Sequence, residues 1–232
     1  MTKNFSNNIL AIDTTTKFCS VSLMKNNIIF NKKIMSCNKH TKYILKLIDE
    51  LLLESNIKLK DINFLACSHG PGSLTGIRIG ICIIQGISFV INTPTIGIST
   101  LMTIAQGAWR QNKYTHVIVT MHASIEKIYF AKYIRNKNGI WIGKNSEKII
   151  TMDQAKLYIL NLHGTWVITG PACKIFSNIT HKKKLYLKFK KNLLPHARDV
   201  IALTIQQLYK KNILNKKINP IYLLNIQKYE TN

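Results

Sequence analysis

The sequence predicts an α/β protein of two similar lobes, each a mixed β-sheet flanked by helices. Three observations carry this reading. Apolar runs such as ILAID (9–13), DINFLACS (61–68) and THVIVTM (115–121) read as strands covered on both faces. Segments with a helical apolar period alternate with them. The order of the first half then recurs more loosely in the second, with a soft boundary near residues 106–114, which gives lobes of 1–108 and 109–232. At 232 residues and 46% hydrophobic, the chain can build one large domain or two small ones sharing a core.

Ile9 to Asp13 is the first strand, and Thr14, Thr15 and Thr16 turn the chain. Cys19 to Met24 and Ile28 to Ile34 pair back across the Lys25-Asn26-Asn27 turn, so the sheet starts as a meander. His40 to Glu54 places Ile44, Leu47, Ile48, Leu51 and Leu52 at helical spacing. Asp61 to Ser68 is a buried strand feeding the loop His69 to Arg78, and a long apolar helix follows to about Val90. Thr95 to Ile98 is a short strand, after which Ser99 or Thr100 caps a helix to about Arg110.

In the second half, Thr115 to Met121 is a strand. Lys127 to Ile134 and Ile140 to Ile142 form a hairpin around Asn136 to Gly139. Asp153 caps a helix to about Leu162, and Trp166 to Thr169 is a strand running into Gly170-Pro171. Arg198 to Lys211 is an amphipathic helix.

Lys plus Arg number 33 against 10 Asp plus Glu, a net charge of +23. Dense cations suit a nucleic-acid partner. Yet only four are Arg (Arg78, Arg110, Arg135, Arg198), the residue suited to bidentate phosphate recognition. In a chain crowded with Lys, Asn and Ile, compositional drift explains the charge as well. Five Cys without a CxxC pair read as reduced, buried thiols of a cytosolic protein. No HExxH or His pair has metal-ligand spacing, so no metal is expected. The N-terminus leads directly into a strand, which argues against a signal peptide. The uncharged window Ile79 to Ile91 is short for a membrane span and fits a buried helix. The expectation is a cytoplasmic chain without a membrane partner.

The strongest local motif is Gly70-Pro71-Gly72-Ser73-Leu74-Thr75-Gly76-Ile77-Arg78, between a strand and a helix. Its glycines and capping hydroxyls suit either an anion cradle or a tight turn with a closely packed helix. Asp13, at the end of a central strand, suits a metal-phosphate corner or a turn-capping acid. The helix with Gly76, Gly80, Ile83 and Ile87 suits a core or a partner interface, and His40 to Glu54 shares that ambiguity. The run Lys182 to Lys191 alternates aromatic residues with Lys, as an RNA-contacting strand or a solvated sheet edge would. No catalytic dyad or GxSxG motif is present.

The segments ILAIDTTTKFCSVSL, HTKYILKLIDELL, HGPGSLTGIRIGICIIQG and PTIGISTLMTIAQGAWR resemble the bacterial TsaB family of tRNA threonylcarbamoyladenosine biosynthesis proteins. The likeness is close over residues 8–112 and continuous to NPIYLL, similar to the family's Pro-x-Tyr-Leu ending. It implies an actin-like ATPase (ASKHA) fold and a pseudo-enzyme that activates a catalytic homologue, TsaD, in modifying the adenosine at tRNA position 37. TsaD transfers the threonylcarbamoyl group, and the ATPase TsaE joins the complex. The resemblance assigns no cofactor to this chain: ATP and threonylcarbamoyl-adenylate are handled by the partner subunits, and tRNA is met through the complex. It places TsaD docking on two helices, at His40, Thr41, Ile44, Leu47, Ile48 and Leu51 and at Gly76, Gly80, Ile83 and Ile87. A homodimer stays open as the state of the chain when TsaD is absent. Asp13, Gly70, Gly72, Ser73, Thr75 and Arg78 remain as an anion or nucleotide contact.

The family's Asp-Ala-Arg followed by Glu is here His122, Ala123, Ser124 and Lys127, and its C-terminal Arg is Leu224. These departures strip the cleft and leave the docking helices, as expected of a retained scaffold. The competing expectation, from Asp13 and the Gly-rich loop, is a small-metabolite kinase or glycoprotease-like hydrolase of the same fold.

Overall fold

A computed structural model describes residues 7–36, 39–179, 184–191, 193–209 and 217–223. Two units divide the chain: Met1–Gly107 with Leu194–Ile221, and Ala108–Leu193 with Tyr222–Asn232. A linear division at residue 108 therefore needs correcting, because the helix after residue 194 returns to the first unit.

The first sheet runs β3-β2-β1-β4-β5. β1 (Ile9–Asp13), β2 (Phe18–Lys25) and β3 (Ile28–Met35) form the antiparallel meander. β4 (Phe64–Ser68) and β5 (Thr95–Ile98) add in parallel beside β1. Their period of two sorts side chains between the faces. Leu10, Ile12, Cys19, Val21, Leu23, Leu65 and Cys67 share a core with α1 (His40–Ser55) and α2 (Leu74–Ile91). The alternate residue Ser20 uses its hydroxyl to accept from the Ala197 N–H at 3.0 Å. This positions α5 (Ala197–Tyr209), which packs on β1, β2 and β4. β1 is thus covered on both sides, as its unbroken apolar run requires.

Both docking-candidate helices end on an asparagine in the left-handed conformation, Asn56 and Asn92, which stops them cleanly. Ser73 opens α2 by accepting from the Gly76 N–H at 3.3 Å. Among the described residues, α2 is the one helix long and apolar enough to cross a membrane by composition, and 33% of it is buried. One face of it packs on the sheet and the other is open. α3 (Thr100–Asn112) follows β5.

The second sheet runs β11-β10-β6-β7-β8, with β9 also paired to β7. β6 (His116–His122), β10 (Gly164–Gly170) and β11 (Leu185–Lys191) are parallel. β7 (Lys127–Arg135), β8 (Trp141–Ile142) and β9 (Lys148–Thr151) are antiparallel neighbours. β9, the segment KIIT, is absent from the sequence reading. It displaces the expected cap of α4 (Met152–Leu160): Thr151, not Asp153, caps it, in a capping box with Gln154 at 3.1 and 3.2 Å. The second core joins Ile118, Phe130, Trp166, Ile168 and Leu187 to Ala155 and Ile159 of α4. β11 is an edge of this sheet; of the run Lys182 to Lys191, Lys182 and Lys183 lie outside the described residues, as does Lys211, to which the sequence extends its last helix.

Candidate functional site

The expected docking residues divide by burial. On α1, His40, Ile44, Leu47, Ile48 and Leu51 are buried against the first sheet, and only Thr41 is exposed. The helical period found the face turned to the molecule's own core, which corrects their placement on a docking surface. His40 is held by the Ser36 hydroxyl at 2.8 Å, and burial lowers its pKa. On α2, Gly76 and Gly80 are buried against the β1–β2 turn. A Cβ on Gly76 would collide with the Thr14 carbonyl oxygen, and one on Gly80 would lie 2.7 Å from Thr14 Oγ1. These glycines serve approach within the unit, not between proteins. Ile83 and Ile87 are half-buried and pack at the margin of the core.

A different set faces outward. On α2, Phe89 is 90% exposed and Val90 76%, with Cys82 and Gly86 also exposed. A Cβ at Gly86 would meet nothing within 4 Å. On the neighbouring α1, Leu45 and Leu53 are exposed. The missed signal was an excess of apolar residues. Leu51, Leu52 and Leu53 cannot share one helix face, and α2 is uncharged from Ile79 to Ile91, so burying one face leaves apolar residues on the other.

The Gly-rich loop is tied to its own unit. Ser73 N–H donates to the Thr15 carbonyl at 2.9 Å, and Thr100 N–H donates to the Gly70 carbonyl at 2.8 Å. Thr14 Oγ1 donates to the Gly76 carbonyl at 2.7 Å. A Cβ at Gly72 would lie 2.6 Å from Thr15 O, and one at Gly70, where φ is +117°, 2.7 Å from Ile221 O. The glycines are therefore explained by chain crossing chain, without a phosphate between them. Thr75 and Arg78 lie exposed on the first turns of α2, apart from the buried Asp13 in accessibility.

Asp13 is buried at the end of β1. Its carboxylate accepts from Thr15 N–H at 3.3 Å and Thr15 Oγ1 at 3.1 Å. Burial raises its pKa to about 6, against the lowering effect of the Thr15 hydrogen bonds and the Lys33 charge. Burial, and secondarily the Asp13 charge, push the Cys19 thiol up to about 12 and move Cys67 in the same direction. Cys173 is buried too, whereas Cys82 is exposed, contrary to the expectation of buried thiols; Cys37 lies outside the described residues.

His122 and Ser124 are exposed where β6 turns into β7, and Lys127 N–H donates to Ser124 Oγ at 3.2 Å. The segment forms a plain tight turn. Leu224 lies outside the described residues.

Residues 31–216 match the profile of the family described as TsaD, tRNA N6-adenosine threonylcarbamoyltransferase. The chain is 38% identical over 218 residues to the Escherichia coli K12 tRNA threonylcarbamoyladenosine biosynthesis protein TsaB, covering 94% of each chain. It is 36% identical to the TsaB of Buchnera aphidicola subsp. Schizaphis graminum, covering 89% of this chain and 97% of the relative. Against the tRNA N6-adenosine threonylcarbamoyltransferase of Chlorobium phaeobacteroides the identity is 27%, over 40% of this chain and 31% of that one. The solved structure of YeaZ from Pseudomonas aeruginosa superposes with a TM-score of 0.81 at 24% identity, covering 94% of this chain and all of that one, which shares the fold. The fold is the actin-like ASKHA type, and end-to-end likeness separates the shorter relatives from the transferase. The chain belongs to the TsaB family of tRNA threonylcarbamoyladenosine biosynthesis proteins.

Proposed function

We propose that this chain is a non-catalytic subunit in the formation of N6-threonylcarbamoyladenosine at tRNA position 37, docking on the TsaD transferase through the outward faces of α1 and α2. The observation that carries the reading is the uncovered apolar surface around Phe89, Val90 and Gly86, on helices whose other faces are already satisfied by a core. Such a surface costs solvation in an isolated chain and gains free energy when covered. The partner surface thus lies one helix face away from His40, Ile44, Leu47, Ile48 and Leu51. In the absence of TsaD the same surface would pair two copies.

The Gly-rich corner supports the non-catalytic part. Its backbone groups bind Thr14, Thr15 and Thr100, so a kinase or hydrolase reading would need the corner to come apart before phosphate entered. ATP and threonylcarbamoyl-adenylate are then handled by TsaD and TsaE, in the cytoplasm, where the tRNA is met.

The test is reconstitution. Purified TsaD, TsaE, ATP, threonylcarbamoyl-adenylate and unmodified tRNA are assayed with and without the chain. The modification rate should rise by at least tenfold when the chain is added. An unchanged rate would remove the activating role.

A further inference from the structure

The second unit contains a cavity of about 340 Å³ that the docking reading does not use. Lys113, Tyr114, His116, His163, Trp166 and Lys188 line it, and no carboxylate is among its lining residues. Its volume lies within the range of about 300–1000 Å³ typical of small-ligand pockets. The cavity sits where β6 and β10 begin, the opposite end from the carboxyl ends where open α/β sheets usually bind ligands.

Its surroundings extend the same chemistry. Lys188 pairs in register with Val167, and Tyr186 with Thr165, on the side of β11 opposite the buried Leu185 and Leu187. Tyr186 is 64% exposed. The Arg135 N–H donates to the carbonyl of the lining residue Thr115 at 2.7 Å, and its guanidinium carbon lies 3.9 Å from the centre of the Trp109 ring. Lys113 Nζ lies 4.1 Å from the centre of the same ring. A solvated edge requires lysines alone. Here they surround a concave site and accompany an exposed aromatic ring, the pairing that holds single-stranded nucleic acid through phosphate attraction and base stacking.

We propose that this cavity holds one nucleotide unit of a single-stranded RNA segment, with Lys113 and Lys188 meeting phosphate and Tyr186 stacking on an adjacent base. The inference deepens the tRNA-modification reading and rests on it for the choice of RNA. A nucleoside phosphate could also arrive as free nucleotide, so the test separates the two.

A fluorescein-labelled, unstructured RNA decamer is titrated by anisotropy against the wild-type chain, Lys188→Glu, Lys113→Glu/Lys188→Glu, and the control Lys60→Glu/Lys137→Glu. The two double variants change net charge equally, and thermal melting confirms that each is folded. Lys188→Glu lies on an exposed edge position and supplies the result if the Lys113 change unfolds the chain. The site pair should weaken binding at least tenfold, and Lys188→Glu alone at least threefold, with the control within twofold of wild type. Loss of two phosphate contacts should make the salt dependence of log K shallower by about 1.4. Millimolar AMP should leave RNA binding intact.

Equal weakening by the site pair and the control would overturn the proposal in favour of diffuse charge. Displacement of RNA by micromolar AMP would overturn it in favour of a free-nucleotide site. The reconstitution assay keeps the two readings apart. Stimulation of TsaD with no selective loss in the site variants defeats only the RNA site. Selective RNA binding without stimulation defeats only the activating role.

Discussion

Asp13 is the residue at which burial and charge oppose each other most directly. Its carboxyl titrates near pH 6 in the folded chain against 3.8 in its ordinary state, because burial disfavours the charged form. Below about pH 3.8 both folded and unfolded chains hold the proton. As pH rises from about 4 to 6, the unfolded chain releases it first, so the unfolded state gains. Stability contributed by this site therefore falls with rising pH, by about 3 kcal/mol in total, and stays low above pH 6. Asp13→Asn should remove that fall. Urea denaturation of both proteins at pH 4, 5, 6 and 7 checks it: the wild type should lose stability relative to the variant across this window. Parallel pH curves would mean that the carboxyl is not desolvated. Asp13 was legible as an acid at a strand end, but the closing of its corner was not. That depends on Thr14 and Thr15 meeting Gly72 and Gly76, contacts between segments some sixty positions apart.

At the scale of the helix, two glycines on α2 have opposite surroundings. Gly80 faces Thr14 Oγ1, and Gly86 faces open space. Gly80→Leu should destabilise the isolated chain by about 1–3 kcal/mol or more through overpacking. Gly86→Ala should stabilise it by up to about 1 kcal/mol, since alanine restricts the unfolded backbone and favours helix. Differential scanning calorimetry of the two variants measures both signs, and a Gly86→Ala melting point well below wild type would show that this face is packed. The period of α1 and α2 in the sequence located both helices to within a few residues. On α1 it selected residues that the structure buries against the sheet, because periodicity reports the side that packs on a sheet. Leu53 and Phe89, off the apolar period, were the informative residues. Of two four-residue strands, β5 was legible between its turn and cap residues, whereas β9 is fixed by its pairing with β7.

At the scale of the whole chain, the two-lobed α/β plan followed from the alternation of buried strands and helices, while the return of α5 to the first unit did not. The polar side of β2 explains that return: Ser20 and Ser22 leave room and a hydrogen-bond acceptor for a helix that arrives from the far end of the sequence. The charge of +23 was visible at once, but that Lys113 and Lys188 line a common cavity in the second unit emerged only from the structure. The two units thus present different chemistry, an oily helix face on one and a cationic strand end on the other.

The most direct test of partner docking is the calorimetric affinity of TsaD for the wild-type chain and for Phe89→Glu, with the melting temperature of each isolated chain measured alongside. Phe89 is 90% exposed, so the variant should melt within about 2 °C of wild type. A charge set into the centre of the contact should weaken TsaD binding by at least about thirtyfold, the loss of a 2 kcal/mol hot spot. Unchanged affinity in a variant that remains folded would show that TsaD binds elsewhere and contradict the proposed role of this face.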